Sequence, residues 1–138
     1  MSDLVQMGRR VLASQPFSVL LGAQLTRLEP GIAEIRIPLR PELKQQHGFA
    51  HGGVISYAAD NALTFAGGSM LGNCLTAEFK ISYVRPSVGS ELIARAHTVH
   101  AGRNQATCRC DVFVLREGAE MLTATALGTI TKVPPAEQ

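Results

Sequence analysis

The spacing of apolar positions changes twice along this chain, and the changes divide it into elements. The opening stretch "MSDLVQMGRRVLASQPF" reads as a short amphipathic helix. From Ser18 the stretch "SVLLGAQLTRLEPGIAEIRIPL" reads as two strands joined by a turn at Pro30-Gly31. The alternation Ile32, Ala33, Glu34, Ile35, Arg36, Ile37 suits a strand with one buried face. Arg40 to Phe49 is a polar, glycine-containing loop. Val54 to about Leu71 is nearly continuously apolar and predicts the one long helix, closed by Gly67-Gly68 or Gly72. Everything after it alternates like strand. "LTAEFKISYV" ends at Arg85-Pro86, and "ELIARAHTVHA" turns at Gly102-Arg103-Asn104. "ATCRCDVFVL" turns at Arg116-Glu117-Gly118, and "MLTATALGTITKV" precedes a Pro-Pro-Ala-Glu-Gln tail. The successive strands predict an antiparallel meander, and the whole an α+β domain. Val54, Ile55, Tyr57, Ala58, Ala59, Ala62, Leu63, Phe65 and Ala66 cover nearly every side of the long helix. A helix apolar all round is a buried one, so the sheet is expected to wrap around it. Part of its surface is expected to meet a second copy of the chain.

Composition narrows this picture. With 138 residues, 46% hydrophobic and 17% charged, the chain is expected to form one domain, residues 1–138, with a sizeable core. Net charge is +2 without a block of like charges, and there is no Trp. Neither a phosphate-binding patch nor a stacking platform is supported, so no nucleic-acid partner is expected. Arg9 and Arg10 precede apolar residues as in an export signal, but Ser14, Gln15 and Pro16 interrupt the run. No stretch reaches the ~20 apolar residues of a membrane helix. The expectation is a cytoplasmic protein with no membrane partner. Cys74, Cys108 and Cys110 make an odd count with poor metal spacing, and they read as small core hydrophobes. His97 and His100 lie three apart, which in a regular strand turns them to opposite faces. No metal and no other cofactor is expected.

The chemistry concentrates in "QQHGFAHGGVISYAADNALTFAGG". Ser56, Asp60 and Thr64 are spaced four apart and share one face of the predicted helix. A lone carboxylate in so apolar a helix is costly unless hydrogen-bonded. It reads as a satisfied structural group, as an exposed one on the helix's only wet stripe, or as a reactive one. Before the helix, His51-Gly52-Gly53 allows close approach to backbone. The first N–H groups of a helix lack partners within it and carry the positive end of its dipole. Such donors suit a thioester carbonyl or the oxyanion formed from it. Eight residues separate Gly52 from Asp60, about 12 Å at ~1.5 Å per residue. One chain cannot readily bring both to one carbon, whereas two such helices antiparallel across a two-fold axis can.

These residues carry a resemblance. "HGFAHGGVISYAADNALTFAG" followed by "LTAEFKISYVRPSVG" resembles the hotdog-fold acyl-CoA thioesterases, in the branch typified by the phenylacetate-pathway thioesterase. The likeness runs from about Gly22 to Lys132 and rests on the HGG-to-Asp spacing, the strand ending in Arg-Pro and the Gly-Arg turn. It implies a hotdog fold, an antiparallel sheet wrapped around one long central helix. It further implies hydrolysis of acyl-CoA or aryl-CoA to free acid and CoA, in a homo-oligomer that is a dimer or a dimer of dimers. Asp60 then corresponds to the carboxylate that acts as nucleophile or as general base. Gly52 corresponds to the N–H that polarises the carbonyl. Gln45 falls where relatives carry Asn or Gln, although Gln46 competes for that place. Thr64 and Thr76 match hydroxyls that orient groups in some relatives, and His51 is the motif's orienting histidine.

On the same basis the second glycine, Gly53, lies against substrate. Tyr57 and Phe65, with Phe17, are expected to line the acyl pocket, with room left by Gly67 and Gly68. Arg85 and Arg103, with Lys80 as a further candidate, would meet the CoA phosphates. Two other readings stay open at this point. One is a hotdog enoyl-CoA hydratase or dehydratase using His47, and the other a non-catalytic acyl-CoA-binding module in which Asp60 is structural. No G-x-S-x-G elbow supports a serine hydrolase.

Overall fold

The computed structural model describes residues 2–134, and the chain in it begins with two helices. α1 (Asp3–Ala13) is capped by Ser2, whose Oγ accepts from the Val5 N–H at 3.4 Å. Asp3 in its first turn and Arg10 in its last oppose the helix dipole favourably. Its inner stripe is Val5, Gly8 and Leu12. α2 (Pro16–Leu21) corrects the expectation of a strand from Ser18. Pro16 occupies the first turn, where a missing N–H costs nothing, and Gly22 ends the helix in the left-handed region at φ 75°. Strand begins only at Gln24.

β1 (Gln24–Glu29) and β2 (Ile32–Pro38) pair antiparallel about the Pro30-Gly31 turn, with Gly31 at φ 80°. A 3-10 turn and the loop that follows lead to α3 (Gly52–Leu71), which starts two residues before the apolar run. Gly72 ends it, donating its N–H to the Gly68 carbonyl at 2.8 Å. Gly67 lies within the helix against Ile130, where an added Cβ would come within 2.9 Å of that side chain. Four strands follow: β3 (Cys74–Tyr83), β4 (Glu91–Ala101), β5 (Gln105–Arg116) and β6 (Ala119–Lys132). They complete one six-stranded antiparallel sheet in the order β1-β2-β4-β5-β6-β3. β4, β5 and β6 form the expected meander, while β3 crosses to the far edge beside β6.

α3 packs against all six strands, so the sheet wraps the helix and the core lies between them. Ile35, Ile37, Leu63, Leu92, Val112 and Ile130 have no measurable exposure there. Cys108 and Cys110 join this core as expected, and Cys74 is half-buried. One expectation about the strands fails for a geometric reason. β4 carries an extra residue between Thr98 and His100. This bulge turns His100, opposite Thr107, onto the same outer face as His97, opposite Arg109. Both are exposed, and among the described residues no group of three His, Cys, Asp or Glu could hold a metal ion. Nor is any helix among them long and apolar enough to cross a membrane.

The outer face also carries an ion-pair ladder. Glu34 accepts from Arg95 Nε at 2.7 Å and from Arg36 Nε at 3.0 Å. Arg36 reaches Glu91 at 2.9 Å, and Arg95 makes a two-pronged pair with Glu120 at 2.6 and 2.8 Å. Lys80 sits on this face opposite Leu127, on the side of the sheet away from α3.

Candidate active site

Asp60 lies in the third turn of α3 on its half-buried stripe, in line with Ser56 and Thr64. Thr76 Oγ1 donates to Asp60 Oδ1 at 2.6 Å. Thr64 Oγ1 donates back to the Asp60 carbonyl at 2.8 Å, as helix threonines commonly do, and stands 2.8 Å from Thr76 Oγ1. Each hydroxyl has one proton, so Thr76 gives its own to the carboxylate and Thr64 shares its own between the two remaining acceptors. The arrangement depends on β3, whose register shifts between Thr76 and Glu78. A bulge of this kind re-aims the side chain beside it. Asp60 Oδ2 makes no hydrogen bond among the described residues.

At the start of the same helix, His51 is the N-cap, and its Nδ1 accepts from the Gly53 N–H at 2.8 Å. The imidazole is therefore deprotonated at Nδ1 in this geometry. The N–H groups of Val54 and Ile55 both point to the His51 carbonyl, at 3.0 and 3.3 Å. That accounts for three of the first four donors of α3. Gly52 is the one left, with no acceptor for its N–H among the described residues. The Gly53 N–H is spent on the cap.

The groove in front of Gly52 has a volume of about 410 Å³, and Gln45, Tyr83, Arg85 and Ser87 also line it. Gln45 is held by its own loop: its Oε1 accepts from the His47 N–H at 2.5 Å. Its side-chain NH2 makes no hydrogen bond among the described residues. Gln46 and His47 are exposed. Tyr83 gives its hydroxyl proton to the Gly52 carbonyl at 3.0 Å and is 2.5 Å from Ser56 Oγ. Ser87 Oγ is buried with no hydrogen bond among the described residues. Sequence reasoning missed Tyr83 and Ser87. They reach this groove through the β3 crossover, and no local pattern announces a non-local contact.

The two groups of residues open onto different surfaces. Thr64 borders a second cavity, of about 240 Å³, lying between α1 and α3 rather than in the groove. Phe65 and Gly68 line this cavity, but Tyr57 and Phe17 do not. The Tyr57 hydroxyl instead donates to Ser18 Oγ at 2.5 Å and accepts from Asn61 Nδ2 at 2.8 Å, which ties α2 to α3. Burial raises the pKa of this phenol, against the pull of its Ser18 and Asn61 hydrogen bonds. Phe17 packs edge-on against the Tyr57 ring at 5.5 Å. Arg85 is exposed at the Gly52 end of α3, and Arg103 is exposed in the β4–β5 turn. That turn stands near the opposite end of the helix, because the Asn104 carbonyl accepts from Lys132 in the strand pair that starts at Cys74.

Comparison with known proteins adds a family to this geometry. Residues 47–119 match the family model described as the thioesterase superfamily, a span holding His51, Gly52, Asp60, Thr64 and Thr76. A thioesterase family protein from Silicibacter pomeroyi is 34% identical, with 93% of this chain and 96% of that one covered at a TM-score of 0.89. The conserved protein PA5202 from Pseudomonas aeruginosa is 30% identical, with 90% and 98% covered and a TM-score of 0.80. A mutant of the phenylacetic acid degradation protein PaaI from Thermus thermophilus is 32% identical, with 86% and 100% covered and a TM-score of 0.76.

Proposed function

The chain belongs to the thioesterase superfamily, with the hotdog fold, and from that premise we propose that it hydrolyses acyl-CoA or aryl-CoA thioesters to the free acid and CoA. The observation that carries the proposal is a pair of unmatched groups on one helix. Gly52 has a free N–H at the positive end of α3, and Asp60 has a carboxylate fixed at Oδ1 with Oδ2 unbonded. In the reaction the Gly52 N–H, with the free amide of Gln45 beside it, takes the thioester oxygen and stabilises the charge that grows on it. Asp60 Oδ2 drives addition to the carbonyl carbon, directly or by taking a proton from water. When Asp60 has taken the proton from water, collapse of the adduct breaks the C–S bond, that proton passes to the departing sulfur, and free acid and CoA thiol leave. When Asp60 has attacked directly, CoA leaves as the thiolate, and water then hydrolyses the acyl anhydride on Asp60, giving the free acid, restoring the carboxylate and supplying the thiol proton. Thr76 holds Oδ1 so that Oδ2 faces the substrate, and Thr64 steadies Thr76.

The reacting carbon takes its N–H from one subunit and its carboxylate from the other. Two α3 helices running antiparallel across a two-fold axis close the ~12 Å between Gly52 and Asp60 and make two equivalent sites. The edge strand β3 supports such pairing, with Leu75 66% exposed and, at its end, Tyr83 50% and Val84 55%. Long apolar sheet edges are normally covered. Pairing of this kind also brings the partner subunit's Arg103 toward the Gly52 end, where Arg85 already lies, as two cations for the CoA phosphates.

The test is thiol release from short, medium, long and aromatic acyl-CoAs by wild type and Asp60→Asn. Release by wild type, lowered on the order of 100-fold or more in the variant with its oligomer intact, is the expected result. Equal release by both would remove Asp60 from the mechanism. No release from any substrate would overturn the proposed activity.

A further inference from the structure

The cavity beside Thr64 is bordered by α1, an element to which the proposed chemistry gives no part. Leu4, Met7 and Val11 of α1 face Leu28, Phe65 and Cys74 across it, and the lining is mostly apolar. Asn61 and Thr64, the neighbours of Asp60 along α3, also line it. We propose that this cavity receives the acyl group of the substrate, in the subunit that supplies Asp60, and that α1 is the wall that sets its length. The proposal rests on the thioesterase reading and deepens it.

Three observations carry it. The first is size. At ~30 Å³ for a water-sized heavy atom, a cavity of about 240 Å³ holds about eight, which corresponds to a medium-length acyl group. Sites for drug-sized ligands usually begin at about 300 Å³, so this cavity covers a medium chain more completely than a long one. The second is the fixity of the wall. A Cβ on Gly8 would come within 2.6 Å of Leu25 Cδ2 and 2.7 Å of Leu28 Cδ2, so α1 sits close on β1 at this point. Arg9 Nε adds a hydrogen bond to the Leu25 carbonyl at 2.9 Å. A wall seated like this cannot slide outward to admit a longer chain. The third is exposure. Met7 is 55% and Val11 47% exposed although both line the cavity, so an apolar guest covers surface that otherwise faces water. Cys74 adds no competing nucleophile here, because burial raises the pKa of its thiol.

The experiment compares kcat/KM across straight-chain acyl-CoAs from acetyl to palmitoyl for wild type, Met7→Trp and Val11→Ala. Both positions are partly exposed, so neither change threatens the core. Wild type is expected to peak near eight carbons and to fall by roughly tenfold or more for chains a few carbons longer. Met7→Trp fills the cavity and should move the peak to shorter chains, while Val11→Ala should move it to longer ones. Within each protein the readout is the ratio of octanoyl-CoA to butyryl-CoA kcat/KM, so that a general loss of activity cancels. Active enzymes with one unchanged chain-length profile would overturn the acyl pocket and leave the thioesterase standing. Absence of turnover in wild type would instead overturn the activity. In that event octanoic acid, titrated directly, still reads the cavity: binding blocked by Met7→Trp supports the pocket, and equal or absent binding removes it.

Discussion

His51 and Gly52 hold two separate tasks at the start of α3, and each can be removed alone. His51 caps α3 through Nδ1, so His51→Ala should cost about 1 kcal/mol of stability, while Asn at the same position should recover most of it. Denaturant unfolding of the two variants reads this directly. Gly52 serves through its N–H rather than through any side chain, so the informative change is Gly52→Pro. Proline suits the first helical position, and His51 at φ −63°, ψ 139° already has the extended backbone that a following proline requires. A Cβ at Gly52 would stand 3.5 Å from the Tyr83 hydroxyl, an ordinary contact. The variant should therefore melt within a few degrees of wild type yet lose on the order of 100-fold in kcat, the usual cost of one oxyanion donor. Full activity in a folded Gly52→Pro protein would mean that this N–H does not meet the substrate oxygen.

At the scale of elements, what could be read in the sequence was whatever is encoded locally. The boundaries of β4, the Pro30-Gly31 turn and the Gly72 stop follow from alternation and turn residues within a few positions. α2 did not, because "FSVLL" is apolar enough for either state, and Pro16 with Gly22 decides it only by bracketing one helical turn. The placement of β3 beside β6 depends on a crossover, and the bulges at Thr76 and Val99 depend on their partner strands. None of these leaves a local mark. The carboxylate and its helix stripe were legible from spacing, whereas the Thr76 hydrogen bond and the loss of the Gly53 donor needed the folded chain. The outer ladder had no sequence signature either, yet it has a consequence. Burial raises the Glu34 pKa, but hydrogen bonds from Arg95, Thr26 and Arg36 outweigh burial and hold it near 2, below its ordinary 4.5. A carboxyl depressed by folding stabilises the fold fully above its unfolded pKa and loses that contribution as pH falls toward the folded one. The melting temperature of wild type should accordingly drop between about pH 4.5 and 2, and Glu34→Gln should flatten that part of the profile. An unchanged acid limb in the variant would show that other carboxyls set it.

For the whole molecule, the proposed function requires that one chain hold two half-sites facing different ways. The groove at Gly52 and the cavity beside Thr64 are lined by different residues, and Gly52 and Asp60 stand about 12 Å apart along α3. If each site draws on two subunits, a mixture of two inactive chains should regain activity. In a dimer of Gly52→Pro with Asp60→Asn, one site combines both lesions and the other combines neither. Random pairing after co-refolding gives half mixed dimers, each with one working site of two, or about a quarter of wild-type activity. If each chain instead completed its own site, every chain in the mixture would carry a lesion and the mixture would stay as inactive as its parents. The same mixture reads the acyl pocket. The surviving site takes its carboxylate from the Gly52→Pro chain, so Met7→Trp should shorten the preferred acyl group only when placed on that chain. Placed on the Asp60→Asn chain, it should leave the profile of the surviving site unchanged.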